Sequence, residues 1–482
     1  MHNSQNAQIK KQLRIGLLPS YLELYDDLFP ENRALFDDYL QRITAAFEER
    51  NFHVCTAAVS RISTEFQAAV NQFESEEVDC IVTIHLAYSP SLEAIDIFCK
   101  TQLPIILFDT SMDADFGPTV SAQRIMFNHG VHGVMDFASM LRRRRRSFQI
   151  VAGHDSDPHT INRIAELVRA SASAQALRKI SVLRIGKIFP GMGDFSVDEK
   201  VLQDQLGINV RQVGIETLDA AVANVSDKDI IREMAQDHTR FTCEVDEQTH
   251  KRSVRVGLGL RELLKESDHH AMTVNFQAFD SDQRPADTMP FLEISKAMAR
   301  SIGYAGEGDA LTAAMVGALA KGFDAVTFTE IFCADWAGGN LFLSHMGEIS
   351  PSVAGDKPRL VEKPFPFTDA HNPAILTCAL KPGPAVLVNL APGPDNTFTL
   401  IIAPMQVLAE DPHMDPAMRD VIRAWVRPAC KLELFLEAYS HAGGTHHKAL
   451  VLGEHANALA AFGRMSNMNV VCIDSTYSVN ND

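Results

Sequence analysis

The chain has 482 residues, of which 46% are hydrophobic and 22% are charged, and its formal net charge is −17. A chain of this length is too long to fold around a single hydrophobic core, because domains usually contain about 100–200 residues. We therefore expect two to four domains, most simply three. The negative charge argues against a nucleic-acid surface, which needs clustered cations, and no stretch approaches the ~18 apolar residues of a membrane helix.

The first third of the chain, after a polar start (MHNSQNAQIKKQ) that lacks the apolar core of a signal peptide, alternates between two kinds of segment. Continuous apolar runs predict strands at residues 13–19, 52–59, 78–87, 103–110 and 147–154. Segments of helical periodicity separate them, at residues 32–50, 63–75, 89–101 and 130–143. This alternation predicts a doubly wound parallel-sheet α/β domain over residues 1–178, with ligands bound beyond the carboxyl ends of its strands.

A basic run, Arg142–Arg146, follows the last of these helices. Five consecutive arginines are compatible with a nucleic-acid or targeting patch. A helix end is favoured, because an apolar helix precedes the run and cations complement the dipole at a helix C-terminus. We therefore predict a solvated helix end or a contact between subunits.

A second α/β unit begins near residue 180 (ISVLRIGKIFPGMGDFSVDE), where the alternation restarts. It continues through a strand-like stretch at 208–215 and a long helical region at 291–322. No linker separates it from the first unit. We predict a second doubly wound parallel-sheet domain over residues 179–325.

The last third is rich in strand-like runs separated by Pro/Gly turns such as KPGP and APGPDN. The runs lie at residues 324–332, 340–350, 358–365, 374–380, 385–392, 397–408 and 430–439. This pattern predicts a β-rich, largely antiparallel C-terminal domain over residues 326–482.

The 8 cysteines are scattered and form no C-x-x-C pair. Most lie in apolar runs such as FHVCTAAV and NVVCID, so we expect reduced, buried thiols. Together with the polar N-terminus, they predict a cytoplasmic protein.

Four segments of the second half place polar residues beside apolar structure. Glu307 and Asp309 lie among glycines before an apolar helix, Glu330 ends an apolar strand, His345 follows another, and His446 and His447 precede a third. Each has a plain structural alternative: Asp309 as an N-cap, Glu307 as a solvated carboxylate, His345 as a hydrogen-bonded core residue, and the histidine pair as a polar loop.

Taken together, these segments offer carboxylates and imidazoles from separate elements. A carboxylate at the end of a buried strand is costly unless it is paired or bound to a cation. Oxygen and nitrogen ligands without thiolates suit Mn²⁺ or a similar divalent ion. The residues therefore indicate one divalent metal per chain.

The same four segments, read as AGEGD, TE after a strand, SHMGEISPS and AGGTHH, resemble the L-arabinose isomerases in order and spacing. The resemblance implies that Glu307, Glu330, His345 and His447 bind the metal, with Glu307 and Glu330 as the catalytic acid/base pair. It implies that His446 contacts substrate. It also implies the three-domain layout described above.

Weaker matches to the same family suggest further substrate contacts. NHGVHG places His132 in this role, with His129 where the family has a glutamine. GMGD and VNFQAF place Met192 and Phe276 at apolar substrate-lining positions, where ordinary core or loop roles are an alternative. After the first strand the chain reads LPSYLELYDD, which lacks the glutamine that touches sugar in the family.

The resemblance implies a metal-dependent aldose–ketose isomerase that converts L-arabinose or a related aldose to its ketose through a cis-enediol. Two alternatives remain: an isomerase for another sugar such as L-fucose or D-arabinose, and a non-catalytic sugar-binding protein. The expected partner is a small-molecule sugar, without nucleic acid or membrane. The resemblance also implies a homo-oligomer, a trimer or hexamer, with the first domain of one chain covering the metal site of another.

Overall fold

The structure is a computed structural model that describes residues 12–266 and 268–477. Residues 1–11, on which the prediction of no signal peptide chiefly rests, lie outside the described residues. Among those described, no helix has the length and apolar character needed to cross a membrane. The chain divides into two compact units, Lys11–Gln175 and one that contains Ala176–Asp482.

The N-terminal unit is built on a parallel sheet of the order β2-β1-β3-β4-β5. Its strands are β1 (Arg14–Ser20), β2 (His53–Thr56), β3 (Cys80–His85), β4 (Ile105–Asp109) and β5 (Gln149–Ala152). The five predicted strands are therefore confirmed. Two of the three internal strands, β1 and β3, are almost wholly buried, which explains why their sequences are continuous apolar runs.

Helices occupy the segments between these strands. They are α1 (Glu23–Leu28), α2 (Asp37–Glu48), α3 (Ser63–Ser75), α4 (Ile95–Phe98), α5 (Ile125–Asn128), α6 (Val131–Arg143) and α7 (Pro158–Leu177). One apolar cluster joins the sheet to side chains of α2 and α7, and another joins it to α3, α4 and α6. The parallel α/β architecture is thus confirmed, and the doubly wound arrangement stays a prediction.

The second unit begins with another parallel sheet, of the order β10-β9-β6-β7. The strands of this region are β6 (Ser181–Ile185), β7 (Asn209–Val213), β8 (Thr242–Cys243), β9 (Ala271–Val274) and β10 (Gly303–Gly306). Its helices are α8 (Glu199–Val201), α9 (Ile215–Ala223), α10 (Asp227–Arg240), α11 (Glu247–Glu266), α12 (Phe291–Ala299) and α13 (Ala310–Gly322). Every residue of α13 except Lys321 is buried, so this helix lies in the core next to β9 and β10.

The last third forms a mainly antiparallel sheet of the order β15-β18-β11-β12-β17-β16-β19. The strands of this region are β11 (Val326–Asp335), β12 (Asn340–Ser344), β13 (Arg359–Glu362), β14 (Ala374–Thr377), β15 (Gly383–Pro392), β16 (Phe398–Val407), β17 (Ala424–Pro428), β18 (His447–Leu452) and β19 (Asn469–Cys472). Because β15 also pairs with β16 along its whole length, six of the strands close into a ring. The antiparallel prediction is confirmed, with the parallel β16–β19 pair as an exception.

One predicted strand of this region is wrong. Residues 430–439 fall largely within α14 (Leu432–His441), and α15 (Ala456–Met465) follows later. The buried side chains of α14 are Leu432, Phe435, Ala438 and Tyr439, a spacing of three and four residues that belongs to one helix face. Because apolar residues are dense in this segment, the helical spacing of its buried side chains was not recognised in the sequence.

A smaller sheet links segments that the sequence assigned to different domains. β8 pairs with β13, which pairs with β14. Both parts also belong to one compact unit. The boundaries at residues 178 and 325 stay predictions.

The basic run Arg142–Arg146 lies at a solvated helix end, as predicted, because α6 ends at Arg143 and the first four arginines are exposed. Arg146 differs, since it donates to the carbonyls of Phe98 and Leu103 at 2.9 and 2.6 Å and so holds a loop.

All eight cysteines are unpaired, as predicted. The prediction of buried thiols is wrong for Cys333 and Cys472, which are exposed near strand ends.

Candidate metal centre and active site

The register of the antiparallel sheet brings three of the predicted ligands together. Glu330 in β11 lies directly opposite His447 in β18 on one side and opposite Ser344 in β12 on the other. His345 follows Ser344 at the end of β12. The apolar strands therefore carry these polar side chains to one point of the sheet.

The fourth predicted ligand, Glu307, comes from the end of the parallel sheet. It follows β10 in a tight turn with a positive φ of 53°, and its carbonyl accepts from the N–H of Phe189 at 2.9 Å. Gly308 has a φ of 89°, and a Cβ there would lie 2.7 Å from the Cα of Ile188, so only glycine fits. Backbone geometry thus requires the second glycine of the AGEGD motif.

The four side chains form a compact cluster in which one oxygen or nitrogen atom of each lies within 4.8 Å of the others. His447 Nε2 lies 2.7 Å from Glu307 Oε2 and 3.1 Å from Glu330 Oε1, and His345 Nε2 lies 3.1 Å from the same Glu330 atom. The Glu307 and Glu330 side chains are 12% and 15% exposed, so both carboxylates are largely buried but still partly accessible to solvent. The four roles stay a prediction.

The other nitrogen of each imidazole is held by a second carboxylate. His447 Nδ1 lies 2.9 Å from Asp309 Oδ2, and His345 Nδ1 lies 2.6 Å from Glu348 Oε2. The hydroxyl of Tyr304 donates to the other Glu348 oxygen at 2.5 Å. These buried carboxylates fix the ring orientations and leave both Nε2 atoms directed at Glu330.

The protonation equilibria of the cluster are coupled. Burial alone would lower the pKa of His345, but the charge of Glu348 and hydrogen bonds with Glu330 and Glu348 raise it to about 10. Burial would raise the pKa of Glu330, yet hydrogen bonds from His345 and His447 hold it well below its usual range. A cation that binds both Nε2 atoms takes the place of shared protons, so binding releases protons.

The donor set fits a divalent cation. It combines two carboxylates and two imidazoles, and no cysteine belongs to the cluster. Such oxygen and nitrogen ligands suit Mn²⁺ and related ions, and the Asp309 and Glu348 contacts are the outer-sphere partners that metal-binding histidines usually have.

The loop that carries the histidine pair is held by a buried polar frame. Asn389 donates to the Thr445 hydroxyl at 2.6 Å and to the His447 carbonyl at 2.8 Å. Tyr439 donates to the Thr445 carbonyl at 2.6 Å, and Lys448 donates to the same carbonyl at 3.0 Å. Lys448 is buried, and burial lowers its pKa to about 8. This frame fixes the backbone from which His447 projects.

His446 lies at the margin of the cluster, facing a loop of the central region. Its Nδ1 lies 2.7 Å from Asp194 Oδ2, and its backbone N–H donates to the same oxygen at 2.9 Å. The ring of Phe195 stacks on His447 with centroids 4.9 Å apart. The His446 side chain is 41% exposed, which leaves its other nitrogen available for a ligand.

The two apolar residues assigned to substrate lie in this neighbourhood of the second unit. Met192 is half-buried in the loop that contains Phe195. Phe276 packs on Phe189 of the same loop, with ring centroids 5.3 Å apart. Their substrate roles stay predictions.

His129 and His132 belong to the N-terminal unit. His129 Nε2 lies 3.2 Å from the Tyr25 hydroxyl, and its Nδ1 lies 2.9 Å from the Ile125 carbonyl. The His132 ring is exposed, 6.0 Å from the His129 ring. The pair thus forms a small surface group, and its contact with substrate stays a prediction.

Sequence reasoning assigned Asp309 only a capping role and gave Glu348 none. Asp309 does cap α13, since its Oδ1 accepts from the Thr312 N–H at 2.9 Å, but its second oxygen holds His447. Glu348 lies three residues after His345 in the SHMGEISPS motif, and this spacing was the available signal. Asp194 and Phe195 had no comparable signal, because a loop contributes them across the fold.

Asp309→Asn is expected to weaken Mn²⁺ binding by about 10–100-fold, the usual effect of losing such a partner. Asparagine is also a good N-cap, so α13 should persist, while the negative charge that holds His447 Nδ1–H is lost. Isothermal titration calorimetry with Mn²⁺ measures the effect. Asp198→Asn, at the exposed N-cap of α8, is the matched control and should bind as the wild type does; equal affinity for Asp309→Asn would contradict the positioning role.

Comparison with known proteins adds three matches of domain families in chain order. Residues 37–179 match the L-arabinose isomerase N-terminal domain, residues 192–322 the central domain and residues 325–469 the C-terminal domain. A Serratia proteamaculans L-arabinose isomerase is 28% identical over 425 residues, which is 83% of this chain and 82% of that protein. A Shouchella clausii L-arabinose isomerase is 24% identical over 477 residues, which is 96% of this chain and 94% of that protein.

Similarity to solved structures is slight. An Agrobacterium vitis solute-binding protein bound to α-D-tagatopyranose is 11% identical and covers 64% of this chain and 88% of that one, with a TM-score of 0.17. A TM-score this low supports no conclusion about this chain.

Proposed function

The chain belongs to the L-arabinose isomerase family and is an aldose–ketose isomerase; we propose that it converts L-arabinose, or a related aldose, at a divalent cation held by Glu307, Glu330, His345 and His447. The observation that carries the proposal is the clustering of one ligand atom from each of these residues within 4.8 Å. The four residues lie in, or directly after, strands of two different sheets, with Glu307 after β10 and Glu330 in β11. Local secondary structure alone therefore does not explain why they lie close together.

The chemistry requires that a proton leave C2 of the open-chain aldose and that a proton reach C1. Glu307 and Glu330 supply the two carboxylates for these transfers, one as base and the other as acid, by way of a cis-enediol. Mn²⁺, or another divalent cation, when bound would supply Lewis acidity toward the sugar oxygens on C1 and C2. The low exposure of both carboxylates limits competing proton exchange with bulk water.

The surrounding residues would position the sugar. His446, oriented by Asp194, offers a ring nitrogen to a sugar hydroxyl. Met192 and Phe276 supply apolar contacts for the carbon chain. His129 and His132 would approach from the N-terminal domain of another chain.

Removal of the cation is expected to abolish activity reversibly. Protein treated with a chelator should lose isomerase activity, and Mn²⁺ should restore it, with about one ion bound per chain by elemental analysis. The same assay across L-arabinose, D-arabinose and L-fucose identifies the substrate. Full activity without any divalent cation would overturn the proposed centre, while absence of activity on every sugar would favour a sugar-binding role.

A different preferred sugar is the second candidate, and one observation favours it. The stretch LPSYLELYDD at the end of β1 lacks the glutamine that touches sugar in the family. Different side chains there would change which aldose fits without altering the four-residue cluster. The highest kcat/KM for a sugar other than L-arabinose would establish this alternative.

We propose a homo-oligomer, a trimer or hexamer, in the cytoplasm, with the active site completed between subunits. The basis is that His129 and His132 lie in one compact unit and the cluster in the other. Sedimentation velocity combined with activity measured across dilution tests this assembly. Specific activity should fall as the oligomer dissociates, and a fully active monomer would contradict it.

A further inference from the structure

A second group of metal-ligating side chains lies in the N-terminal unit, apart from the cluster already described. It consists of His53, Cys55 and Glu76, whose ligand atoms all lie within 4.8 Å of one another. The three groups are an imidazole nitrogen, a thiol sulfur and a carboxylate oxygen. This ligand set differs from that of the Glu307, Glu330, His345 and His447 cluster, which contains no thiol.

The fold explains why these residues meet. β2 is the edge strand of its sheet, and His53 and Cys55, two positions apart, project from the same face of it. The helix α3 packs on that face, since Cys55 belongs to one apolar cluster with Phe66 and Phe73. Glu76 is the C-cap residue that directly follows α3, and its carboxylate lies beside the two β2 side chains.

The donor set favours a borderline or soft ion. Cysteine sulfur, histidine nitrogen and carboxylate oxygen are the three protein ligands of Zn²⁺, whereas Mg²⁺ and Ca²⁺ take oxygen almost alone. His53 is exposed and Glu76 is partly exposed, while Cys55 is buried beneath them. An ion can therefore enter from solvent and keep a fourth position for water.

The charges nearby are compatible with a divalent cation. A thiolate and the Glu76 carboxylate together balance two positive charges. Arg14 Nη2 lies 3.8 Å from Glu76 Oε2, and the Asp79 carboxylate accepts from the Arg14 backbone N–H at 2.7 Å, so a second carboxylate lies beside the backbone of this arginine. Burial and the neighbouring Glu76 raise the pKa of Cys55 to about 11, so the ion must displace the thiol proton as it binds.

We propose that His53, Cys55 and Glu76 form a second metal site, selective for Zn²⁺ or a similarly thiophilic divalent ion, that ties the edge strand β2 to the end of α3. It is independent of the proposed isomerase centre. Its ligand class predicts a spectroscopic signature that the other centre, which has no sulfur ligand, cannot produce.

Titration of the full-length protein with Co²⁺ in the presence of Mn²⁺ tests the proposal, because Co²⁺ bound to a thiolate shows a charge-transfer band in the near ultraviolet. The wild type should develop this band with one equivalent of Co²⁺, and Zn²⁺ should remove it. Cys55→Ser should abolish it. His53→Gln, an exposed substitution that leaves the core untouched, should raise the Co²⁺ concentration for half-maximal absorbance at least about tenfold, roughly the loss of one ligand contact.

Cys472→Ser is the matched control. Cys472 is an exposed cysteine whose sulfur lies 3.6 Å from Asp474 Oδ2, and no histidine joins it in a three-residue metal-ligating group among the described residues. This variant should keep the full band. Absence of the band in the wild type, its persistence in Cys55→Ser, or its loss in Cys472→Ser would each overturn the proposed site. If Cys55→Ser fails to fold, an unchanged titration of His53→Gln decides against it.

Discussion

Glu330→Gln is expected to lower kcat at saturating Mn²⁺ by about 10²–10⁴-fold, the range that general acid/base catalysis supplies. The backbone of Glu330 is fixed by β18 on one side and β12 on the other, and the amide is nearly isosteric with the carboxylate, so the fold should survive. The amide can take neither role, because it neither accepts nor releases the proton that the isomerisation transfers. It also loses the negative charge that both His345 and His447 face, so Mn²⁺ should bind more weakly.

Steady-state kinetics across a Mn²⁺ series separates the two effects, because weaker metal binding is overcome by added metal and the loss of an acid/base group is not. Glu433→Gln, on an exposed face of α14, is the control for a simple change of charge and should keep wild-type kinetics. A Glu330→Gln protein that kept more than about a tenth of wild-type turnover at saturating metal would exclude the acid/base role.

The candidate ligands could be recognised because each adjoins an apolar strand or a glycine turn in a short motif, and the choice among them came from the resemblance to the L-arabinose isomerases. Glu330 and His345 each interrupt or follow a run that reads as buried, and a polar residue there needs a partner. The register that joins them was not predictable. No local sequence feature indicates that β11 lies between β12 and β18, or that Glu307, which follows β10 of another sheet, lies at the same point.

The misassigned segment at 430–439 shows a different limit. Its apolar density matches a buried strand as well as a buried helix, and a ten-residue run leaves only the spacing of Leu432, Phe435 and Tyr439 to decide between them. Hydrophobic content was sufficient to predict burial. It was insufficient to predict the backbone conformation.

The composition of α10 does not show that two of its carboxylates are buried. Its sequence, DKDIIREMAQDHTR, resembles a solvated surface helix, yet Glu233 and Asp237 are buried at 5% and 0% exposure. They are buried because cations from neighbouring helices reach them. Lys296 of α12 lies 2.7 Å from Glu233 and 3.1 Å from Asp237, and Arg261 of α11 donates to Glu233 at 2.7 Å.

The cations of this network offset the free-energy cost of burying its two carboxylates. Burial would raise the pKa of Glu233, but hydrogen bonds and charges from Arg261 and Lys296 hold it well below its usual range. Asp237 has one further partner, His250, at 3.1 Å. Lys296 itself is only 3% exposed and is the cation shared by both carboxylates.

Lys296→Met is therefore expected to destabilise the protein by about 3–5 kcal/mol, the cost of leaving a buried charge without its partner. Methionine approximates the volume of the lysine side chain, so the loss reports the missing cation rather than a cavity. Thermal and urea unfolding, both at one protein concentration, measure it. Lys200→Met removes a cation from the exposed Lys200–Asp204 pair, whose side chains are 79% and 51% exposed, and should leave the unfolding midpoints close to those of the wild type. Equal midpoints for the two variants would show that the buried network contributes nothing beyond an ordinary surface pair.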